Sequence, residues 1–313
     1  MDEDYASAQL VAMARRALAA EGIHTVAPAG GGALLPLAAK RRFLAEVEHT
    51  HGLLPLLRVG QQFSAVRSDP AVSALLRAGS PHDLLERWCR LERFTHSRHR
   101  VALRRSGPRH LVVEHLGPPG APPGAAEDAV VLGVLTALLT MIGTRDLTVA
   151  VGQERAHTVF AGGVFTAEPP AGDSAHWRFG WTGTVTAPPV GAEATGSDPV
   201  IRTRALLATD PARRWTLAEL AAALGFSTRV LQRRLAGDGG FTGLLAAVRA
   251  ETAAELLIHG EHPTSVIGFA CGYADQPHFT RRFKHRTAMT PAAYRAAFGR
   301  YARAASATTR RKR

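Results

Sequence analysis

Two stretches of the chain place arginine, glutamine and threonine side chains at helical spacing, where they could form hydrogen bonds with planar polar groups. The first stretch holds Arg229, Gln232 and Arg233. In the second, Gln276, Thr280 and Arg281 recur at similar intervals. Arginine can pair through two hydrogen bonds with guanine, and glutamine with adenine, in the major groove of DNA. These residue types favour recognition of base edges.

Two short helices joined by a glycine turn must position the first group. Thr216 is a good N-cap, and Glu219 three residues later completes the pattern of a capping box. Gly225 supplies the positive φ that ends the first helix, and Ser227 caps the second. The pattern predicts a helix-turn-helix whose second helix enters the major groove. An ordinary helical hairpin with a solvated charged face is the alternative.

The same pattern recurs over residues 264–283. Gly272 supplies the turn, Asp275 caps the next helix, and Pro277 lies in its first turn, where a missing N–H costs nothing. A long helix predicted over residues 242–259 separates the copies and would span ~27 Å. Two outward helices held apart on that scale could enter successive turns of the major groove, which favours DNA reading over a solvated surface.

The excess of basic over acidic residues lies almost entirely in the last third of the chain. The 313 residues carry a net charge of +12. Residues 1–197 hold 19 basic and 18 acidic side chains, whereas residues 198–313 hold 19 and 8. A folded segment this basic repels itself unless it has an anionic partner, of which nucleic acid is the commonest. A basic surface without a specific partner is the alternative.

Composition predicts two domains. Residues 1–184 are expected to form a mixed α/β domain, and residues 185–199, rich in proline, glycine and alanine, a linker. Residues 200–300 are expected to form an all-α domain with two helix-turn-helix units joined by a long helix. Residues 301–313 form a basic tail.

Periodicity in the first domain predicts five helices and four strands. The helices are expected at 5–20, 36–48, 69–77, 81–94 and 127–142. A β-hairpin is expected at 99–104 and 110–115, with further strands at 147–151 and 177–182. The apolar run of the fifth helix is shorter than the ~20 residues of a membrane span, so we expect a buried helix and no membrane partner. The acidic N-terminus and two cysteines favour a cytoplasmic protein.

Residues 200–300 resemble the DNA-binding domain of the AraC/XylS family of bacterial transcription regulators. The matching stretches are GFSTRVLQRRL, VRAETAAELL and GFACGYADQPHFTRRFKHRTAMTPAAYR. Ala288 stands where the family usually has glycine, and Tyr273 and Ala274 also depart from the common pattern. The resemblance implies base contacts by Arg229, Gln232, Arg233, Gln276, Thr280 and Arg281. It also favours phosphate contacts by Arg234, Arg282 and Lys284, whereas Pro277 occupies a reading position without a side-chain donor.

The run SPHDLLERWCRLERFTHSRHRVALRRSG in the first domain resembles the subgroup with an arabinose-binding-type N-terminal domain. Such domains sense an effector or dimerise. The resemblance implies a nucleoid-associated transcription regulator whose partners are double-stranded DNA, a small-molecule effector, a second copy of the chain and RNA polymerase. Activation is one expected role, although the sequence leaves activation and repression open, together with the identity of the effector.

No catalytic or metal-binding pattern emerges from the histidines. His49 and His51 are separated by one residue, and His96, His99, His110 and His115 surround the predicted hairpin without a known ligand spacing. Gly30–Gly32 is not followed by the Gly-Lys-Ser/Thr of a phosphate-binding loop. We therefore predict no enzyme, cofactor or metal. The alternatives are an architectural DNA binder, and a ligand-binding protein or enzyme whose basic domain localises it to nucleic acid.

Overall fold

The computed structural model describes residues 4–26, 34–60, 70–185, 198–236 and 239–298. The chain divides into two compact units, residues 1–187 and 188–313. The described residues leave out most of the expected linker, all of the basic tail and Gly30–Gly32. They also leave out Asp69, the first residue of the helix expected at 69–77. Among the helices of the described segments, none has the length and apolar character needed to cross a membrane.

The first unit contains both helices and strands. Its helices are α1 (Ala8–Ala20), α2 (Leu37–His51), α3 (Leu54–Leu57), α4 (Pro70–Leu76), α5 (Pro81–Thr95) and α6 (Ala125–Met141). Its strands are β1 (Tyr5–Ser7), β2 (Leu34–Pro36), β3 (Arg100–Gly107), β4 (His110–Leu116), β5 (Thr144–Arg145), β6 (Thr148–Val151), β7 (His157–Ala161), β8 (Val164–Phe165), β9 (His176–Gly180) and β10 (Gly183–Thr184).

Six of these strands form one antiparallel sheet in the order β3-β4-β9-β6-β7-β8. The predicted hairpin is confirmed as β3 and β4, which pair Val101 with His115 and Gly107 with His110. The strands predicted near 147–151 and 177–182 are confirmed as β6 and β9, which are neighbours in the sheet. Strands β7 and β8 were not predicted, because their short stretches lack a clear alternation of apolar and polar residues.

Helix α6 is the buried centre of the first unit, as the apolar run predicts. Leu132, Val134 and Leu138 are fully buried. Gly133 allows α3 to approach closely, because a Cβ atom at this position would lie 2.1 Å from the carbonyl oxygen of Leu57. A larger side chain here would force the two helices apart.

The predicted start of the first helix is wrong. Residues Tyr5–Ser7 are extended and pair with Leu34–Pro36, so the helix begins at Ala8. The Ser7 hydroxyl oxygen caps it by accepting a hydrogen bond from the backbone N–H of Leu10 at 3.1 Å. The second helix begins one residue later than predicted, at Leu37, for the same reason. Helical periodicity continued through these residues, but pairing with a distant strand determines their conformation.

The second unit is helical throughout its described residues, as predicted. Its helices are α7 (Pro199–Thr209), α8 (Leu217–Leu224), α9 (Thr228–Leu235), α10 (Gly240–His259), α11 (Thr264–Ala270), α12 (Gln276–Thr287) and α13 (Pro291–Phe298). Helix α10 begins two residues before its predicted start. Leucines of α8, α9 and α10 pack with Trp215 in one core, whereas α12 buries Phe279 and Phe283.

Candidate nucleic-acid interface

Helices α8 and α9 are joined by a short turn whose conformation follows from local sequence. The Thr216 hydroxyl oxygen accepts a hydrogen bond from Glu219 N at 3.2 Å. In return, Thr216 N donates to the Glu219 carboxylate at 2.8 Å. Gly225 ends α8 with φ 74°, and the Ser227 hydroxyl caps α9 by accepting from Val230 N at 3.3 Å. These contacts fix where α9 starts and which face it exposes.

Helix α9 separates its charged side chains from its apolar ones. Leu231 and Leu235 are fully buried. The opposite face exposes the four side chains predicted to contact DNA, namely Arg229, Gln232, Arg233 and Arg234. Among the described residues, none of these three arginines forms a salt bridge, so their guanidinium groups are free to bind an external anion.

Helices α11 and α12 are joined in a similar manner. Gly272 has φ 78°, and a Cβ atom there would lie 2.3 Å from the carbonyl oxygen of Pro211. The Asp275 carboxylate caps α12 by accepting from His278 N at 2.7 Å. Arg249 of α10 supports this region by donating to the carbonyl oxygen of Pro211 at 2.9 Å. The backbone of the turn therefore approaches its neighbours too closely for any residue other than glycine.

The predicted outward residues of α12 are not equally exposed. Arg281, Arg282 and Lys284 are exposed, whereas Thr280 is half-buried. Gln276 is also half-buried, and its Nε2 donates to Thr264 Oγ1 at 3.4 Å. The amide of Gln276 therefore lies against the start of α11 in this structure, because Gln276 is the first residue of α12.

Two acidic side chains of the second unit are paired with arginines outside α9 and α12. Glu251 forms a salt bridge with Arg204. Glu219 pairs with Arg213 at 3.0 Å. Within the part of the unit that the structure describes, no salt bridge compensates the cations on the exposed faces of α9 and α12. An uncompensated basic face attracts a polyanion and raises the rate of association with it.

The first unit contains a buried charged cluster that the sequence patterns did not predict. Lys40 Nζ lies 3.1 Å from Glu127 Oε1, with both side chains only 3% exposed. Arg41 Nε lies 3.2 Å from the other carboxylate oxygen of Glu127. Nearby, His115 Nδ1 contacts Asp128 Oδ1 at 2.7 Å. The acidic pair at positions 127 and 128 within a strongly apolar helix is the sequence feature that could have indicated this cluster.

Hydrogen bonding defines the protonation of this cluster. His96 Nδ1 accepts from the backbone N–H groups of His99 at 3.0 Å and Arg98 at 3.3 Å. The ring proton of neutral His96 must therefore be on Nε2, which faces Lys40 Nζ at 3.2 Å. Burial lowers the pKa of Lys40, whereas the charge of Glu127 acts in the opposite direction and raises it.

Burial also keeps the imidazoles of His96 and His99 neutral. It lowers the pKa of His96 to about 2 and the pKa of His99 to about 4. Burial alone would raise the pKa of Glu127, but the neighbouring Lys40 and His99 side chains hold it below its ordinary value. Glu127 is thus the ionised member of the cluster, in contact with both Lys40 and Arg41.

His96, His99 and Glu127 are close enough to be considered as metal ligands, since their ligand atoms lie within 4.8 Å of one another. Histidines that bind metal normally donate the N–H of the other ring nitrogen to an acceptor. Here the opposite holds, because His96 Nδ1 accepts two backbone N–H groups and His99 Nε2 accepts from Arg41 at 3.0 Å. Arg41 and Lys40 also lie where a metal ion would bind, so the cluster fits an internal network better than a metal site.

The described residues of the first unit line two cavities, of which the larger has a size suited to small molecules. An open cleft of about 690 Å³ is lined by residues near the start of α6 and by the loops before β7 and β9. Within it, the Ser174 hydroxyl donates to the buried carboxylate of Asp128 at 2.6 Å. A smaller, more apolar cavity of about 250 Å³ lies between α6 and residues Phe160 and Phe165.

Comparison with known proteins identifies the second unit. A helix-turn-helix domain model matches residues 220–297, from within α8 to within α13. A protein of Streptomyces antibioticus described as an AraC-like transcription regulator is 34% identical over 102 residues. The C-terminal part of the chain is an AraC-type helix-turn-helix domain. The match covers 32% of this chain and 34% of the Streptomyces protein, so the chain spans about a third of that relative's length.

Solved structures also resemble the chain. The C-terminal domain of AraT, a response regulator from Geobacillus stearothermophilus, is 31% identical and covers 33% of this chain and 88% of that structure, with a TM-score of 0.30. The transcriptional regulator CdpR from Pseudomonas aeruginosa is 20% identical and covers 92% of this chain and 98% of its own, with a TM-score of 0.38. Assignment of the AraC-type domain rests on the family match and on the Streptomyces protein.

Proposed function

We propose that the protein is a sequence-specific DNA-binding transcription regulator in which α9 and α12 are the DNA-reading helices of two helix-turn-helix units. The observation that carries this proposal is the exposed arginine face of each helix within an AraC-type domain. Arg229, Gln232 and Arg233 would contact bases from α9, and Thr280 and Arg281 from α12. Arg234, Arg282 and Lys284 are placed for contacts with phosphates.

Gln276 requires a rearrangement before it can contact a base. Its amide is held against Thr264, and its Oε1 is buried without a hydrogen-bond partner among the residues that the structure describes. An unpaired buried polar atom costs free energy, so rotation of this amide toward DNA would remove an unfavourable state. We therefore retain Gln276 as a base-contacting residue that becomes exposed on binding.

The test is selection of preferred duplexes from random DNA with the full chain, followed by affinity measurements on every single-base variant. Arg233→Ala should relax preference at one base pair, because it removes one bidentate contact. Arg204→Ala is the matched control, since it removes the same charge from α7, outside both reading helices. Equal specificity profiles for the native protein and Arg233→Ala would refute the assignment of α9.

We propose further that the first unit binds a small-molecule effector in the cleft beside Asp128 and Ser174. The size of the cleft and the polar side chains that line it, among them Gln153, Arg155 and His176, favour a polar ligand at this position. Sugars, amino acids and carboxylic acids would be screened by thermal unfolding of the full chain. Ala125→Phe, which places a ring in the cleft, should abolish any shift in melting temperature, whereas Ala8→Phe on α1 should not.

If no compound changed the melting temperature through binding in the cleft, the result would favour an architectural DNA binder over an effector-controlled regulator. Turnover of a screened compound would instead favour an enzyme localised to nucleic acid. We propose a non-enzymatic role because the AraC-type domain supplies a complete function for the second unit. Dimerisation through the first unit and contact with RNA polymerase, in the cytoplasm at the nucleoid, are further parts of this proposal.

A further inference from the structure

His278 has a fixed orientation in the first turn of α12. Its ring Nδ1 accepts a hydrogen bond from the backbone N–H of Ala274 at 3.1 Å. The ring also packs edge-on against Tyr273, with 5.6 Å between ring centroids. Because Tyr273 is buried, these two contacts hold a half-buried imidazole in one rotamer.

The contact with Ala274 also defines where the ring carries its proton. A nitrogen that accepts a hydrogen bond bears no proton, so neutral His278 has its N–H at Nε2. Burial lowers the pKa of His278, and the nearby Arg282 and Arg281 lower it further against the opposing effect of Asp275. Among the described residues, Nε2 has no hydrogen-bond partner.

The position of His278 on α12 places its Nε2–H donor on a particular face of the helix. Residues three and four positions apart share one face of a helix, so His278 lies beside Arg281 and Arg282. Both arginines are exposed. Pro277, the preceding residue, offers no donor of its own. The imidazole N–H is therefore the polar group that extends the basic face of α12 toward its N-terminus.

We propose that His278 is a positioning residue that donates a hydrogen bond from Nε2 to a phosphate oxygen of duplex DNA. This inference rests on the proposed function and adds a residue that the sequence comparison did not assign. A phosphate bound by a neutral, pre-oriented donor would fix the angle at which α12 enters the groove. Such a contact differs from that of an arginine, because no charge is neutralised and no counterion is released on its account.

Two substitutions separate the roles of the two ring nitrogens. His278→Asn keeps an acceptor near the position of Nδ1 and removes the outer donor. His278→Gln places an amide N–H near the position of Nε2 and loses the inner acceptor. Affinity of the full chain for its selected duplex would be measured by fluorescence anisotropy between about 50 and 200 mM salt. Thermal unfolding of each variant controls for the fold.

We expect His278→Asn to bind about tenfold more weakly at every salt concentration, with an unchanged slope of log affinity against log salt. His278→Gln should stay close to native affinity. Arg282→Gln, the comparison for a charged contact, should reduce the slope by about 1.

Three results would overturn the inference. If His278→Asn bound DNA with native affinity, the result would show that His278 makes no phosphate contact. A slope reduced by about 1 in His278→Asn would show that the ring acts as a cation. Equal weakening of both variants, accompanied by a lower melting temperature, would show a structural role. If the native chain selected no duplex at all, the proposed function would fail first, and this inference would fail with it.

Discussion

The two units place their charged side chains in opposite environments. In the first unit, Lys40 and Glu127 are each 3% exposed and lie in contact. In the second unit, Arg233 and Arg281 are exposed and have no acidic partner among the described residues. The buried charges of the first unit interact with each other only in the folded state, so they contribute to its stability. The exposed arginines of the second unit remain available to bind a ligand.

This difference has thermodynamic consequences that can be measured separately. Removal of one partner from a buried ion pair is strongly destabilising because the other charge stays buried without compensation. Removal of an exposed charge changes stability little. Substitutions in the first unit should therefore change the free energy of unfolding, whereas substitutions on α9 and α12 should change DNA affinity.

The largest effect is expected for Glu127→Gln. This change removes the carboxylate that pairs with Arg41 and Lys40, and should lower the free energy of unfolding of the first unit by about 3–5 kcal/mol. Urea unfolding followed by tryptophan fluorescence would measure the loss. Glu46→Gln, on the exposed face of α2, should change the same quantity by less than about 0.5 kcal/mol. A similar small change for Glu127→Gln would mean that the cluster does not stabilise the unit.

A pH titration should give the next largest effect. His96 and His99 have folded-state pKa values of about 2 and about 4, below the unfolded value of about 6.5. The unfolded chain therefore takes up protons first, so stability is complete above about pH 6.5 and is lost as pH falls below it. Each histidine should contribute about 1.4 kcal/mol per pH unit in that range.

Comparison of urea unfolding at pH 7 and pH 5 would show this loss in the first unit. His49→Gln, at an exposed position of α2, serves as the control and should leave the pH dependence unchanged. Unfolding free energies that agree at the two pH values would contradict the assignment of neutral buried imidazoles.

Arg281→Ala should have an intermediate effect, which should appear in DNA affinity and not in the free energy of unfolding. Loss of one base contact should weaken affinity for the selected duplex by about 1–3 kcal/mol. The free energy of unfolding should remain within about 0.5 kcal/mol of the native value, because the side chain is exposed. A loss in the free energy of unfolding larger than the loss in the free energy of DNA binding would contradict the proposed difference between the two units.

A helix cap should produce the smallest effect. Ser227→Ala removes the acceptor for the N–H of Val230 and should lower the stability of the second unit by about 1 kcal/mol. Arg234→Ala, on the exposed face of the same helix, should not. Equal stability of both variants would show that the α8–α9 turn does not depend on this cap.

Local sequence predicted the second unit well because its determinants lie within a few residues of one another. Thr216 with Glu219 and Asp275 with His278 are contacts across three positions, and Gly225 and Gly272 act through their own backbone angles. Such determinants do not need knowledge of the tertiary fold. The exposed faces of α9 and most of α12 follow directly from them.

Long-range contacts determine the features that could not be predicted. Residues Tyr5–Ser7 leave the helical pattern because they pair with residues about 30 positions away. Lys40 is buried because Glu127 and His96, from two other segments, converge on it. A lysine on an amphipathic helix is ordinarily solvated, and only the assembled unit shows otherwise. Gln276 is a further example, because its amide contacts Thr264 on another helix.

The proposal that α9 and α12 each read DNA is tested most directly by hydroxyl-radical footprinting of the full chain on its selected duplex. Two protected patches should appear on one face of the DNA, about one helical turn of roughly 10 base pairs apart. Arg233→Ala should weaken protection of one patch and Arg281→Ala that of the other. A single protected patch, or simultaneous loss of both patches in either variant, would contradict the presence of two separate reading helices.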